Sequence, residues 1–153
     1  ALEWTRKHEW TVNVELKSLA EEVEEEDYVE RVVALIQELN MTDDVLVSSF
    51  NHDYLVRVKE AEPEIRTGAL TGRGVNDPVG YVRDLGADAY NPSSEAVSTS
   101  RIKEIRDAGV DVYVYTVNER EELVRFVEAG ATGVFTDFPQ RMAQVLAECK
   151  DGR

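Results

Sequence analysis

Two opposite charges stand two residues apart at the end of an apolar alternating stretch, VNVELKS (12–18). Val12, Val14 and Leu16 alternate as in a β-strand, and Glu15 and Lys17 occupy its end. A solvated helix tip carries such charges for no particular reason. At the end of a buried parallel strand, however, charged groups need partners, so this pair either binds to itself or faces a pocket that supplies them.

Polar residues recur at the ends of the other predicted strands as well. They are Glu15 and Lys17, Ser48 and Ser49, Asn91, Thr116 and Asn118, and Thr136 and Asp137. In a (β/α) barrel the carboxyl ends of all strands converge on one face, where active sites are built. Asn118 has a second interpretation, as the N-cap of the following helix. No strand is followed by a GxGxxG or P-loop sequence, so the barrel is favoured over a doubly wound nucleotide-binding sheet.

The elements that position these residues alternate between strands and helices. Apolar runs predict strands over 11–16, 45–50, 65–70, 87–92, 110–117 and 132–138. Helical spacing and end signals predict helices over 1–8, 26–39, 52–62, 78–85, 99–109, 118–130 and 139–150, with a Gly-rich connector at 71–77. Gly109 and Gly130 are placed to end two of the helices. Such alternation indicates an α/β fold with a parallel sheet.

A closed (β/α) barrel has eight strands and typically about 250 residues, whereas this sequence has 153 residues and six predicted strands. We therefore predict a TIM-barrel type fold with about six of eight βα units, forming a single domain over 1–153. The simplest account is the C-terminal part of a longer protein. An incomplete barrel leaves open sheet edges, which favour self-association.

Composition excludes several classes of partner. The net charge of −14 disfavours nucleic acid, because a phosphate footprint needs a basic patch. No apolar run approaches the 18 residues of a membrane span, and no signal peptide is visible, which predicts a cytoplasmic protein. The excess of carboxylates is typical of proteins from high-salt cytoplasm, although an ordinary acidic surface explains it too. Cys149, the single cysteine, cannot form an internal disulfide and is expected to be structural or exposed.

Four short motifs, ELK (15–17), SSF (48–50), TVN (116–118) and GVFTDFP (133–139), occur in an order and spacing that resembles the glycerophosphodiester phosphodiesterase family. The resemblance runs from about Thr11 to Met142. It implies a TIM barrel that hydrolyses glycerophosphodiesters to glycerol 3-phosphate and an alcohol such as choline or ethanolamine. It also implies a role in glycerol and lipid metabolism and a divalent metal, Ca²⁺ or Mg²⁺, at the mouth of the barrel.

The resemblance assigns roles to four residues of this sequence. Glu15 matches the metal-ligating glutamate of the ELK motif, and Lys17 matches the lysine that contacts the phosphate. Tyr115 occupies the position of a pocket-lining aromatic, usually tryptophan, and Phe50 is expected to form an apolar wall. A hard cation and a lysine both suit a substrate whose negative charge grows in the transition state.

In the family, the two catalytic histidines and the other metal carboxylates belong to HRG, HD and ExD motifs of the first two strands, which the resemblance places upstream of the part that this sequence matches. His8 and His52 are the only histidines here, and surface or capping roles are expected for both. No catalytic residue is therefore assigned, and the chain alone is predicted to be inactive.

Two alternatives remain open. The chain could be a noncatalytic partial-barrel module that assembles with itself or another chain. It could also belong to a related phosphodiesterase of similar fold, such as the phosphoinositide phospholipases or sphingomyelinase-D-like enzymes, although TVNEREEL and GVFTDFP favour the glycerophosphodiester branch.

Overall fold

A computed structural model describes residues 1–18 and 27–151, and in these ranges six strands alternate with seven α-helices. The acidic run EEVEEE at 21–26 lies outside the described residues. The helices are α1 (Leu2–Lys7), α2 (Tyr28–Glu38), α3 (His52–Ala61), α4 (Pro78–Asp84), α5 (Thr99–Asp107), α6 (Arg120–Glu128) and α7 (Pro139–Asp151). The strands are β1 (Val12–Leu16), β2 (Val45–Ser49), β3 (Arg66–Thr71), β4 (Ala89–Pro92), β5 (Asp111–Val114) and β6 (Gly133–Val134).

The strands form a sheet in chain order, β1-β2-β3-β4-β5-β6, and the pairs β1–β2, β2–β3 and β5–β6 are parallel. Every predicted strand is present, which confirms the six predicted βα units. The last two strands are shorter than predicted. Backbone hydrogen bonds continue past these strands, from the Phe135 amide to the Val114 carbonyl at 2.9 Å and from the Val117 amide to the Phe135 carbonyl at 2.8 Å. Further hydrogen bonds there join Asn118, Thr136 and Asp137.

Residues 1–70 and 81–89 form one compact unit, and residues 71–80 and 90–153 form a second. In the first unit, Val12, Val14 and Leu16 of β1 lie in register with Val45, Val47 and Ser49 of β2. These residues, apart from Ser49, belong to the apolar core together with the buried faces of α2 and α3. Because successive strand residues point to opposite sides, Glu15 and its register partner Ser48 lie on the opposite face of the sheet.

In the second unit, the core is built from the helix-covered faces of β4 and β5 and the inner faces of α5, α6 and α7. Its fully buried members include Tyr90, Val112, Val114, Ile105 and Phe126. Ser93 and Tyr115 form a parallel bridge. Because side chains alternate along a strand, Ser93 and Tyr115 lie on the face opposite to that of Tyr90 and Val114.

The helix ends follow the sequence signals with one exception. Gly109 and Gly130 have φ values of 81° and 83° directly after the C-caps of α5 and α6, a region that glycine adopts without a Cβ clash. Pro139 is the first residue of α7, as expected. Asn118, however, is not the N-cap of α6. Glu119 occupies that position and makes no side-chain capping hydrogen bond.

Candidate functional site

Glu15 and Lys17 form a loose, solvent-accessible pair at the end of β1. The Glu15 carboxylate and the Lys17 ammonium are 3.9 Å apart, with side chains 36% and 77% exposed. β1 is the first strand in the sheet order, which explains why its opposite face is open to solvent. An ion pair in this setting contributes little to stability. Both groups are therefore free to exchange this contact for a ligand.

Ser48 extends the polar character of this position onto the next strand. It is the register partner of Glu15, and its side chain is completely buried. The Ser48 hydroxyl has no hydrogen-bond partner among the described residues. A buried hydroxyl without a partner is costly, and such groups are expected to find a water or ligand. Glu15 and Ser48 thus place a carboxylate and a hydroxyl side by side on one face.

The neighbouring Ser49 has a different role. Its hydroxyl donates to the Leu16 carbonyl at 2.6 Å and accepts from the Asn51 amide at 3.0 Å. These bonds tie the end of β2 to the end of β1 and to the start of α3. Phe50 follows Ser49 directly and is 53% exposed. The structure thus leaves the Phe50 ring accessible, and its role as a wall of a binding site stays a prediction.

His52 is a structural residue, which differs from the surface or capping role expected for it. Asn51 is the N-cap of α3, and its side chain accepts from the Asp53 amide. The half-buried His52 ring instead joins two distant points. Its Nε2 donates to the Leu70 carbonyl at 2.9 Å, so Nδ1 accepts from the Tyr81 hydroxyl.

His8 lies on the surface as predicted, and its Nδ1 contacts the Trp4 carbonyl oxygen at 2.8 Å. Its ring packs with the exposed Trp4 and Trp10, with ring centroids 4.3 Å and 5.7 Å away. Both ring nitrogens of His52 and the Nδ1 of His8 thus have hydrogen-bond partners within the chain.

Tyr115 lies in the second unit, at the end of β5. Its amide donates to the Pro92 carbonyl at 3.0 Å, and its carbonyl accepts from the Ser94 amide at 2.6 Å. The Tyr115 hydroxyl lies 3.9 Å from the position that a Cβ on Gly72 would take, so the ring reaches the Gly-rich segment 71–77. Tyr115 is half-buried, and its role as a pocket-lining aromatic stays a prediction.

Asn91 is a buried strand-end residue of the same unit, with 0% exposure. Its two side-chain polar atoms have no partner among the described residues. Like Ser48, it retains hydrogen-bonding capacity that the described chain does not use.

Asn118, Thr136 and Asp137, three of the remaining strand-end polar residues, hydrogen-bond to one another, whereas Thr116 is exposed. The Asn118 amide donates to the Asp137 carboxylate at 2.8 Å, and its oxygen accepts from the Asp137 backbone amide at 3.0 Å. Thr136 donates to the same oxygen at 3.3 Å. These bonds join the segments that follow β5 and β6. The sequence showed these residues at strand ends but could not show that they pair with each other.

The described residues do not by themselves fit a divalent cation. Ca²⁺ takes six to eight oxygen ligands and Mg²⁺ a near-octahedral set. Within residues 1–18 and 27–151, no three His, Cys, Asp or Glu side chains come together as a metal site. Glu15, with the Ser48 hydroxyl on the same face, supplies only part of a coordination sphere.

The same ranges contain no helix that is long and apolar enough to cross a membrane.

Comparison with known proteins adds a family to this geometry. The sequence profile of the Glycerophosphoryl diester phosphodiesterase family matches residues 1–141. The chain belongs to this family. The match includes the ELK, SSF, TVN and GVFTDFP motifs, so the predicted resemblance is confirmed.

Relatives of this phosphodiesterase family member cover nearly all of the chain. An uncharacterized protein of Bacillus subtilis, YqiK, is 33% identical over 147 residues, which are 95% of this chain and 60% of that protein. A glycerophosphodiester phosphodiesterase of Caldanaerobacter subterraneus is 28% identical over 90% of this chain and 56% of that protein. The chain thus spans about 60% of the length of the curated relatives it matches.

A solved structure confirms the fold class. A phosphodiesterase of Oleispira antarctica, determined in complex with the product sn-glycerol-3-phosphate, superposes with a TM-score of 0.78 at 22% identity. The superposition covers 95% of this chain and 58% of that one. The fold is therefore of the TIM-barrel type of this family, with an incomplete set of βα units.

Proposed function

We propose that the chain takes part in the hydrolysis of glycerophosphodiesters to glycerol 3-phosphate and an alcohol. The observation that carries this proposal is the family match over residues 1–141 together with the accessible pair at the end of β1. The Oleispira antarctica neighbour, whose structure contains sn-glycerol-3-phosphate as product, supports a small phosphorylated ligand.

Lys17 is the residue proposed to contact the phosphate. Its ammonium group has three donors, and its only ion-pair partner among the described residues is the Glu15 carboxylate at 3.9 Å. A phosphodiester oxygen offers Lys17 a closer, charge-assisted hydrogen bond than this loose pair. The exposed side chain can reach such a ligand without breaking a buried contact.

Glu15 is proposed as one oxygen ligand of a divalent cation, Ca²⁺ or Mg²⁺. Such a cation neutralises the negative charge that develops on a phosphodiester during hydrolysis. The described residues supply one carboxylate at this position, so the proposal needs further oxygen donors besides Glu15 and Ser48. We derive no chemical step through the metal from this donor set.

Phe50, in the first unit, is proposed to offer the substrate an apolar surface, and the same role is proposed separately for Tyr115 in the second unit. Phe50 presents an accessible apolar ring at the end of β2, and Tyr115 presents a half-buried ring at the end of β5. An apolar surface suits the glycerol carbons of the substrate, because a pocket is lined mainly by apolar groups with a few polar ones.

Proton transfer is the part of the reaction for which the described residues offer no candidate. A general acid or base must reach the reacting oxygen with a suitable pKa. His52 is held between Leu70 and Tyr81, and His8 packs with Trp4 and Trp10. We infer that these residues contribute substrate binding, and that the chain alone does not turn over substrate.

The proposal is tested by binding of sn-glycerol 3-phosphate to the chain, followed by calorimetry or by amide chemical shifts. Lys17→Gln is expected to weaken binding about tenfold or more, since charge-assisted hydrogen bonds contribute about 1.5–3 kcal/mol. Lys7→Gln is the matched control, because Lys7 is an exposed lysine of the same unit on α1. Equal affinity of the wild type and Lys17→Gln would argue against the proposed phosphate contact.

Assembly through the open edge is a second candidate role. β1 is the first strand of the sheet, and the preceding helix α1 and its end carry the exposed Trp4 and Trp10, at 53% and 55%. Exposed edge strands and aromatic side chains are typical of surfaces that pair with another chain. Analytical ultracentrifugation at micromolar concentration tests this role, and a strictly monomeric chain argues against self-association.

A further inference from the structure

A cleft lies in the unit formed by residues 71–80 and 90–153. Its volume is about 710 Å³, within the range of small-molecule sites. Its lining comes from the Gly-rich segment, from the connection between β4 and α5, and from the sides of α5 and α6. The lining residues used below are Gly74, Tyr90, Ser98, Arg101, Glu122 and Arg125. We call it the Tyr90 cleft.

Tyr90 shows that this cleft is separate from the face that carries Tyr115. Tyr90 and Asn91 are consecutive residues of β4, so their side chains point to opposite sides of the sheet. The parallel bridge between Ser93 and Tyr115 places Asn91 on the Tyr115 side. Tyr90 therefore points to the side covered by helices, where the cleft opens.

The Tyr90 side chain carries a polar group with no hydrogen-bond partner within residues 1–18 and 27–151. The residue is 2% exposed, yet its hydroxyl makes no hydrogen bond to any described residue. Among the described residues, the side-chain polar atoms that are both cut off from solvent and without a hydrogen-bond partner belong to Ser48, Thr71 and Asn91, and the Tyr90 hydroxyl is not one of them. The Tyr90 hydroxyl therefore reaches the cleft, where it offers a hydrogen bond that the protein does not use.

The guanidinium groups of Arg101 and Arg125 line the cleft, and each forms an ion pair with one glutamate. Arg101 donates to Glu104 at 2.9 Å, and Arg125 donates to Glu122 at 3.0 Å. The Arg125 guanidinium also lies over the ring of the buried Phe126, 4.8 Å from its centroid. Each guanidinium has five N–H donors, so most of them remain available. Stacking on Phe126 and the ion pair with Glu122 restrict the Arg125 side chain while leaving most of its N–H donors available, which favours binding of an oxyanion.

The start of α5 adds backbone donors. The Ser98 hydroxyl caps this nine-residue helix by accepting from the Arg101 amide at 3.2 Å. The first two amides of the helix, those of Thr99 and Ser100, have no intrahelical acceptor because of helix geometry. Free amides and the helix dipole favour an anion at this end.

The geometry points to the Tyr90 cleft as a binding site for a small molecule that carries a phosphate or carboxylate group. The unpaired Tyr90 hydroxyl, the guanidinium groups of Arg101 and Arg125, and the first turn of α5 are all donors. The lining also contains two carboxylates, and these leave hydrogen-bond donors in excess in the cleft. Glu122 is paired with Arg125, and Glu95 lies exposed at the mouth. Gly74 keeps the opposite wall close, since a Cβ there would lie 3.2 Å from the Ala96 carbonyl oxygen.

The experiment is a titration of the chain with inorganic phosphate, and separately with acetate, followed by backbone amide chemical shifts. Saturable shifts are expected at residues 74–76 and 98–101. Arg125→Gln and Arg101→Gln should each weaken phosphate binding about tenfold, and Tyr90→Phe about threefold to tenfold, with the shape of the cleft retained. Arg120→Gln is the matched control, because Arg120 is an ion-paired, exposed arginine on the same helix as Arg125.

Lys17→Gln separates this inference from the proposed function. Phosphate shifts at 98–101 that survive Lys17→Gln and disappear in Arg125→Gln support the Tyr90 cleft. Phosphate binding that Lys17→Gln abolishes and the cleft variants leave unchanged would overturn the inference and leave the proposed phosphate contact intact. The absence of saturable shifts, or equal loss in Arg120→Gln and Arg125→Gln, would also overturn it. Acetate shifts at the same residues would extend the ligand class to carboxylates.

Discussion

Adjacent serines at the end of β2 show how one residue type serves two purposes. Ser49 uses its hydroxyl twice within the protein, toward Leu16 and Asn51, and holds the ends of two strands together. Ser48 is equally buried but has no partner among the described residues, and it lies in register with Glu15. The sequence SSF marks both as strand-end residues. Only the side to which each residue points separates the structural serine from the one that faces the candidate site.

Substituting these serines one at a time should have opposite consequences for stability. Ser49→Ala should lower the free energy of unfolding by about 1–3 kcal/mol, because it leaves a buried carbonyl and amide without a partner. Ser48→Ala should leave it within about 0.5 kcal/mol of the wild type or raise it, because an unpaired buried hydroxyl is removed. Urea unfolding curves provide the measurement. A loss in Ser48→Ala as large as in Ser49→Ala would contradict the assignment of Ser48 as unpartnered.

Helix packing in the first unit depends on apolar burial and on the ion pair between Arg57 and Glu30, the Arg57 clasp. α2 and α3 bury Val29, Val33 and Leu55 against the strands, and the apolar spacing along each helix predicted these faces. Arg57 of α3 also reaches Glu30 of α2 with two hydrogen bonds, at 3.1 Å and 2.6 Å. This clasp was not predictable, because it depends on the angle between two helices that lie apart in the sequence.

The Arg57 clasp should make stability depend on pH in a defined direction. The hydrogen bond from Arg57 lowers the pKa of Glu30 below its ordinary value of 4.5. A carboxyl with a lowered folded-state pKa stabilises the protein above its unfolded pKa, and this contribution disappears as pH falls through the folded value. Glu30→Gln should therefore lower the free energy of unfolding by roughly 0.2–1 kcal/mol at pH 7.

Unfolding measured at pH 7 and at successively lower pH below 4.5 checks this prediction. The difference between wild type and Glu30→Gln should shrink toward zero at the acidic end. Glu60→Gln is the control, because Glu60 is an exposed glutamate of α3. A difference in the free energy of unfolding that stays constant or grows on acidification would contradict the proposed stabilisation by the Arg57–Glu30 ion pair.

For the whole molecule, the alternation of strands and helices was predictable from local patterns, and the family could be recognised from motif spacing. All six strands follow from the apolar pattern of the sequence. The ends of α5 and α6 follow from Gly109 and Gly130. The hydrogen-bond partners of individual side chains could be predicted less well from the sequence. Asn118 pairs with Asp137 instead of capping α6, and His52 joins Leu70 to Tyr81. These partners are 18 or more residues apart in the chain, so no local pattern contains them.

The net charge of −14 should make thermal stability depend on salt. Like charges repel in the compact state, and the Debye length falls from about 10 Å at 0.1 M salt to about 3 Å at 1 M. We expect the melting temperature to rise between these concentrations of potassium chloride. Chloride is preferable to sulfate, because sulfate stabilises proteins by exclusion from their surface. A melting temperature that falls over this range would show that attractive ion pairs outweigh the repulsion.

Our proposal is that Lys17 contacts the phosphate of a substrate, and that residues 1–18 and 27–151 supply no group for proton transfer. The most direct test is release of glycerol 3-phosphate from glycerophosphocholine by the purified chain, with Ca²⁺ or Mg²⁺ present. The account predicts no release above that of Lys17→Gln, since His8 and His52 are both engaged in structural contacts. Turnover that a chelator abolishes and that Glu15→Ala eliminates would contradict it.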